Sequence, residues 1–155
     1  MYDWHRKPGV VCLTSGVGYG ATPLSAFDAA ELDANIRAAN AIKASSFIPP
    51  HWRIITTAQD LGELTDGGAF LSMAHAHAAS NTSNVAASLV VGVNKDNTNA
   101  SIIGEDAERG SPQKESLQQS RKFVIEAFEN RGGVACWFQR APCSACAHWG
   151  FRTCS

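Results

Sequence analysis

The chain has 155 residues, about the size of one domain, of which 45% are hydrophobic and 17% are charged. This composition predicts a packed core rather than a disordered chain. The formal net charge is −1, so neither nucleic acid nor an anionic membrane is indicated as a partner. The chain has no apolar run near 20 residues and no apolar signal segment in its first eight residues. We therefore expect a cytoplasmic protein.

The first part of the chain predicts a strand, a turn and a helix. Residues 10–14 are mostly apolar and predict a short strand, and the glycines within 16–20 predict a tight turn. Thr22 can cap a helix that has Pro23 at its first position. This helix is predicted to about residue 39, with an approximate apolar stripe made of Leu24, Phe27, Leu32 and Ile36.

The chain from residue 40 to residue 132 predicts mainly strands. A turn is expected at 66–68, and a second helix at 111–130 with Leu117, Val124 and Phe128 on one face. Because strands outnumber helices, we predict an α+β fold in which β-sheets form a layered sandwich covered by helices. The predicted strands are 40–46, 52–57, 69–79, 85–93 and 102–105, with the third and fourth forming a pair.

Two adjacent serines followed closely by two prolines, Ser45-Ser46-Phe47-Ile48-Pro49-Pro50, form the most informative segment. If the backbone is bent and strained there, the Ser46 hydroxyl can attack the carbonyl carbon of Ser45 and convert the amide to an ester. β-Elimination then leaves dehydroalanine at position 46, which hydrolyses to a pyruvoyl group. The prolines stiffen the downstream side. An ordinary polar loop is the alternative interpretation.

The residues around this segment resemble the pyruvoyl-dependent arginine decarboxylase family. The resemblance includes Thr-Pro-Leu at 22–24, Ala-Phe-Asp at 26–28 and Asn-x-Ile-x-x-Ser-Ser-x-x-Pro-Pro at 40–50. It continues through Asn-Lys-Asp at 94–96 and Ile-Ile-Gly-Glu at 102–105, and covers about residues 10–132. It implies a sandwich fold, self-cleavage into residues 1–45 and 46–155, and conversion of arginine to agmatine and carbon dioxide through a Schiff base.

The same resemblance implies roles for individual residues. Ser46 would become the pyruvoyl cofactor and Ser45 the new C-terminus, so no added cofactor is needed. Glu105 would donate a proton to the substrate α-carbon, and Asp28 would pair with the guanidinium. The family works as trimers or multiples of trimers with sites between subunits, which implies a homotrimer that binds a small-molecule substrate.

Each of these carboxylates also has a simpler interpretation. Asp28 can compensate the helix macrodipole, and Glu105 can be a solvated charge at the end of a strand. Asp106 follows directly, and a second carboxylate there is expected to disturb the site or to raise the pKa of Glu105 by like-charge repulsion. Glu108 is the alternative proton donor if the alignment of this segment with the family motif is shifted. A carboxylate at Asp28 would also suit ornithine or lysine, so another basic amino acid stays open as the substrate.

Two further patterns are interpreted as structural. Gly16-x-Gly18-x-x-Ala21 is similar to a dinucleotide-binding fingerprint, but no acidic residue ends the second predicted strand. His75 and His77 alternate and would share one half-exposed face of a strand. No third metal ligand is signalled near them, so no metal site is predicted.

Residues 133–155 differ from the rest of the chain. They hold four of the five cysteines and no Asp, Glu or Lys, and they follow neither the strand nor the helix period. We predict a poorly ordered, atypical tail after a 1–132 decarboxylase domain, and we hypothesise a shifted reading frame as its origin. The alternatives are an inactive relative that keeps the fold as an interaction protein, and a zinc module built from Cys136, Cys143, Cys146, His148 and Cys154.

Overall fold

A computed structural model of the chain describes residues 9–36, 38–56, 65, 67–94, 99–110 and 113–133, together with the backbone of 135–140 and 151–154. Neither of the two helices within these residues is long and apolar enough to cross a membrane. The elements are β1 (Val10–Cys12), β2 (Val17–Gly20), α1 (Pro23–Asp33), β3 (Asn40–Lys43), β4 (Phe47–Ile48), β5 (Arg53–Ile55), β6 (Phe70–Met73), β7 (Ala78–Ser80), β8 (Val85–Asn94), β9 (Ser101–Arg109), α2 (Gln113–Glu129), β10 (Ala135–Arg140) and β11 (Phe151–Cys154).

The strands form two larger sheets and two parallel pairs. One sheet has the order β10-β8-β9-β4 and the other has the order β2-β11-β7, while β1 pairs with β5 and β3 pairs with β6. Helix α2 packs on β8 and β9, and α1 packs on β2 and β11. Each larger sheet is therefore covered by one helix, and the predicted α+β class is confirmed.

Strand β8 is buried on both faces, which explains its nearly continuous apolar sequence. On one face, the hydroxyl of Ser88 hydrogen-bonds to the hydroxyls of Ser116 and Ser120 of α2. Successive strand residues point to opposite faces, so Val91 lies on the other one. There it joins the main core cluster with Leu13, Ile48, Val93 and Ile103.

The predicted turn at residues 16–20 is wrong, because most of this segment is strand β2. Its glycines lie against helix α1. A Cβ atom added at Gly16 would come within 2.0 Å of the Ala30 oxygen, and one at Gly18 within 2.1 Å of the Ala26 oxygen. These glycines therefore serve close backbone packing of a strand on a helix, not the positive φ angles of a turn.

The capping prediction for α1 is confirmed, but its predicted apolar stripe is wrong. The Thr22 hydroxyl accepts a hydrogen bond from the Ser25 amide at 3.1 Å, and Pro23 is the first helical residue. Leu24 is 77% exposed and Leu32 is 58% exposed. The close approach to β2 admits only small side chains, so the buried residues of the helix are Ala26 and Ala30.

The predicted strand pair at 69–79 and 85–93 is also wrong. The first segment is divided into β6, which pairs with β3, and β7, which pairs with β11. Strand β8 instead pairs with β9 and β10. Helix α2 is confirmed, with Val124 and Phe128 buried against Ile102 of β9. Part of the predicted strand 52–57 is present as β5, and residue 57 lies outside the described residues.

Two stretches of residues 133–155 form strands, although the sequence there shows neither a strand nor a helix period. Strand β10 extends the first sheet by pairing antiparallel with β8, and β11 pairs antiparallel with both β2 and β7. Strand pairing uses the backbone N–H and C=O groups, and every residue except proline has both. A segment without apolar alternation can therefore still complete a sheet.

Candidate active site

Ser46 lies where the chain passes from β3 into β4, beside strand β9. Phe47 pairs with Ile102, and the Ile103 amide donates a hydrogen bond to the Ser46 carbonyl oxygen at 2.8 Å. This pairing places the Ser46 side chain next to Glu105. The Ser46 hydroxyl donates to Oε1 of Glu105 at 2.8 Å, in a partly buried position. The structure thus brings together the two residues for which the sequence predicts chemistry.

Glu105 and Asp106 point to opposite faces of β9. Glu105 is paired with Leu89, and Asp106 is paired with Ser88, whose hydroxyl contacts α2. Side chains of directly opposed residues share a face of the sheet. Asp106 is therefore directed toward α2 and does not share the site with Glu105. Glu108, two residues beyond Asp106, lies on that same far face, so the geometry favours Glu105 over the fallback residue.

Lys43 is a member of the site that the sequence analysis did not identify. Its Nζ lies 3.6 Å from Oε2 of Glu105, and the two side chains are 63% and 17% exposed. The two oxygens of Glu105 thus have different neighbours, a hydroxyl on one and an ammonium on the other. Lys43 belongs to β3, three residues before Ser46, and only the fold reveals that its side chain reaches β9.

The backbone bends sharply at Ser46. The Phe47 amide donates a hydrogen bond to the Ser45 carbonyl oxygen at 2.8 Å, which closes a three-residue turn centred on Ser46. Neither serine has a positive φ angle; among described non-glycine residues this occurs at Asn35 and His51. A bend is therefore present at Ser46, with a hydrogen-bond donor on the Ser45 carbonyl oxygen, but the φ angles of the two serines show none of the predicted strain.

A cavity of about 970 Å³ adjoins this turn. Ser45 and Phe47, the two neighbours of Ser46, both line it, as does Ile103 of β9. Glu31 of α1 also contributes to the lining, and its pKa is raised by burial and by the nearby Asp28 carboxylate. The cavity is mostly apolar, with a few polar groups, as expected for a site that encloses a small molecule.

Asp28 is exposed on α1. Within the part of the chain that the structure describes, its carboxylate makes no hydrogen bond or ion pair. The preceding residue, Phe27, contacts the rings of His75 and His77, with centroids 6.2 and 5.3 Å away. Asp28 therefore lies one residue from a side chain that contacts the cavity lining.

The prediction that His75 and His77 share a strand face is wrong, since residues 74–77 lie between β6 and β7. The rings instead stack on each other, with centroids 5.5 Å apart and planes inclined by 20°. Burial, the Lys43 ammonium and His77 lower the pKa of His75, while Glu105 acts in the opposite direction. No group of three or more possible metal ligands occurs among the described residues.

Several residues considered in the sequence analysis lie outside the described side chains. These include Lys95 and Asp96 and the proposed zinc ligands Cys136, Cys143, Cys146, His148 and Cys154. The dinucleotide-like glycines Gly16 and Gly18, by contrast, are accounted for by their contact with α1.

The chain is similar to known proteins over most of its length. The family model described as "Pyruvoyl-dependent arginine decarboxylase (PvlArgDC)" matches residues 10–137. A protein of that name from Methanocaldococcus jannaschii is 30% identical over 134 residues, covering 85% of this chain and 78% of its own length. A protein of the same name from Thermoplasma volcanium is 28% identical over 131 residues, covering 81% of this chain and 70% of its own length. Another from Methanococcus vannielii is 32% identical over 129 residues, covering 82% of this chain and 75% of its own length.

Proposed function

Because the chain belongs to the pyruvoyl-dependent arginine decarboxylase family, we propose that it cleaves itself between Ser45 and Ser46 and converts arginine to agmatine and carbon dioxide. The observation that supports this most directly is the 2.8 Å hydrogen bond from the Ser46 hydroxyl to Glu105. A serine beside a carboxylate acceptor is suited to act as a nucleophile.

In the proposed cleavage, Ser46 Oγ bonds to the carbonyl carbon of Ser45 and the peptide C–N bond breaks. Glu105 accepts the hydroxyl proton, which then passes to the amine released from the peptide bond. Negative charge develops on the Ser45 oxygen during the attack. The Phe47 amide, 2.8 Å from that oxygen, is placed to stabilise the charge, as donors do in other acyl-transfer sites.

Residues around Ser46 fit the pyruvoyl group that this family depends on. The group derives from Ser46 itself, and both neighbours of that residue line a cavity large enough for an amino acid. When formed, it supplies a carbonyl that takes up the substrate amine and withdraws the electrons released with carbon dioxide.

Glu105 is proposed to act a second time as the acid that returns a proton to the substrate α-carbon. It lies on the inner face of β9 with a side chain only 17% exposed, beside Ser46. An acid at hydrogen-bond distance from the precursor residue needs no large movement to reach a substrate joined there. Lys43 would keep the glutamate oriented through its contact with Oε2.

Asp28 is proposed to bind the guanidinium of arginine. Its support is the absence of a hydrogen bond or ion pair within the described residues, and the contact of the adjacent Phe27 with His75 of the cavity lining. A guanidinium pairs well with a free carboxylate because it offers two parallel N–H donors.

We also propose that the protein assembles as a homotrimer. Every residue of β3 is exposed, and Ile42 and Phe70 on the β3–β6 pair are 52% and 80% exposed. Residues Leu71 and Met73, on the opposite face of this pair, pack against Ala34 and Ile36. The open apolar face of a two-stranded sheet is the kind of surface that protein interfaces cover.

The experiment that tests the proposed function is a denaturing gel of the purified protein. We expect two pieces, residues 1–45 and 46–155, the larger with a blocked N-terminus. Ser46→Ala removes the attacking oxygen and should leave one intact chain. Ser45→Ala is the matched control and should still cleave, because the mechanism uses only the carbonyl of that residue. An intact wild-type chain would instead favour an inactive relative.

A further inference from the structure

Resting on the proposed function, we propose that Arg131 is a positioning residue for self-cleavage. It acts through Phe47, the residue that follows Ser46 and donates its amide to the Ser45 carbonyl oxygen. The guanidinium carbon of Arg131 lies over the Phe47 ring, 5.2 Å from its centre. A guanidinium within about 6 Å of the centre of an aromatic ring is attracted to its face by the ring quadrupole. The contact therefore links the end of α2 to the strand that begins beside the cleavage site.

Strand β4 carries its side chains alternately on the two faces of the sheet. Phe47 is paired with Ile102, which packs against α2, so the Phe47 side chain lies on the α2 face. Ile48 points the other way and is buried in the main core cluster. The strand is therefore held from both faces, by Ile48 in the core and by Phe47 under Arg131.

The contact on Phe47 matters because β4 is short and lies at the edge of its sheet. It has two residues, paired with two residues of β9, whereas strands average about 5–6 residues. So few backbone pairs hold a strand only weakly, and side-chain contacts must contribute more. Phe47 is 46% exposed, so the sheet and the helix leave part of its ring open. Arg131 covers one face of that ring.

Arg131 can hold Phe47 because its own guanidinium is fixed to the helix. Its Nη1 atom donates a hydrogen bond at 2.8 Å to the carbonyl oxygen of Ala127. The last four carbonyls of a helix lack an amide partner within the helix, and this bond satisfies one of them. Helix α2 packs in turn on β8 and β9. Phe47 is thus tied to the helix that covers its sheet.

The peptide group between Ser46 and Phe47 is what this contact positions. Its carbonyl oxygen accepts from the Ile103 amide and its N–H donates to the Ser45 oxygen, both at 2.8 Å. A donor stabilises developing negative charge when it is already aimed at the oxygen before the reaction. Because the ring and this N–H belong to the same residue, a displaced ring would turn the donor away. Loss of Arg131 should therefore slow the attack by Ser46 without removing a reacting group.

The cleavage rate tests this role, measured as the disappearance of the newly synthesised full-length chain on denaturing gels. We expect Arg131→Gln to slow cleavage about 2–5-fold, the factor that one exposed cation–π contact supplies. Arg131→Lys keeps a cation and should recover most of the rate. Lys122→Gln removes a different cation of α2, one that pairs with Glu126. It is the matched control and should cleave at the wild-type rate.

A double variant separates action through the Phe47 ring from any other effect of Arg131. Phe47→Leu keeps an apolar side chain but removes the ring. If Arg131 acts through that ring, Arg131→Gln should cause no further slowing in the Phe47→Leu background. A cleavage rate unchanged by Arg131→Gln, or slowed equally with and without the ring, would overturn the proposal.

Amide hydrogen exchange gives a readout that does not require cleavage. In the Ser46→Ala chain, adding Arg131→Gln should speed exchange of the Phe47 amide about 2–5-fold, because its hydrogen bond opens more often. The Val124 amide, within α2, should exchange at an unchanged rate, and equal acceleration of both would indicate general destabilisation and reject the positioning role. Unchanged exchange at Phe47 would also reject it. An uncleaved wild-type chain would count against the proposed function, while the exchange rates still decide the role of Arg131.

Discussion

The chemistry of the site depends on how adjacent residues are divided between the two faces of a strand. Glu105 faces Ser46 and Asp106 faces α2, although the two are neighbours in the chain. The same division applies to Ser88, which bonds to α2, and Leu89, which lies opposite Glu105. A single carboxylate is therefore left beside the serine, so the repulsion that the sequence analysis anticipated does not arise.

Substituting Glu105 by glutamine should separate cleavage from decarboxylation. The amide oxygen can still accept the Ser46 hydroxyl but cannot deliver an acidic proton, so we expect slowed cleavage and a loss of about 10²–10⁴ in decarboxylation rate. Carbon dioxide release measures the second step and a denaturing gel measures the first. Glu108→Gln, on the far face of β9, serves as the control, and full activity of Glu105→Gln would contradict this assignment.

Asp28→Asn tests the recognition of a positively charged side chain. An exposed ion pair contributes about 0.2–1 kcal/mol to the stability of the state that contains it. Removal of one partner of an enclosed pair destabilises that state by about 3–5 kcal/mol. Asp28 is exposed in the free chain, so we expect an intermediate effect, about a tenfold rise in KM for arginine. Citrulline, which has the same shape without the charge, is the comparison. Equal losses for both compounds would identify Asp28 as a helix residue only.

At the scale of elements, the packing of β2 on α1 explains why a helix with poor apolar patterning is stable. Its buried residues are the alanines Ala26 and Ala30, and the facing segment carries Gly18 and Gly20 in β2 and Gly16 just before it. The backbones approach so closely that van der Waals contact between main chains replaces contact between large side chains.

Gly18→Ala should therefore be strongly destabilising. Its new Cβ would lie 2.1 Å from the Ala26 oxygen and 2.3 Å from the Ala30 nitrogen, both backbone atoms that cannot turn aside. We expect a loss of about 3 kcal/mol or more in the free energy of unfolding, measured by urea denaturation. Gly67→Ala, with no atom within 4 Å but a φ of +67°, should cost only about 1–2 kcal/mol. A smaller loss at Gly18 than at Gly67 would refute the packing argument.

Much of the fold could be predicted from the sequence where capping residues and apolar periodicity agreed with the packing of the element in the folded chain. The α1 cap, helix α2 and the β1 strand follow from Thr22-Pro23 and from apolar periodicity. Residues 16–20 could not be assigned, because glycine permits both a turn and close packing. Ser46 and Glu105 were found through a motif, whereas Lys43 reaches Glu105 only because β3 and β9 meet in space.

At the scale of the whole molecule, the open face of the β3–β6 pair is the proposed trimer contact. Phe70→Ser should shift the protein from trimer toward monomer in sedimentation measurements, because it removes an apolar side chain that is 80% exposed. The stability of the monomer itself should change little. Phe123→Ser on α2, 51% exposed, is the control. A trimer unaffected by Phe70→Ser, or a wild-type monomer, would place the contact elsewhere or remove it.

The pairing of the strands has a consequence for what a cut at Ser46 would produce. The three described strands upstream of that residue each pair with a strand downstream of it: β1 with β5, β2 with β11 and β3 with β6. Breaking the Ser45–Ser46 bond therefore severs none of these ladders. The pieces would remain interleaved as a two-chain molecule, and they would separate only when the whole structure is unfolded.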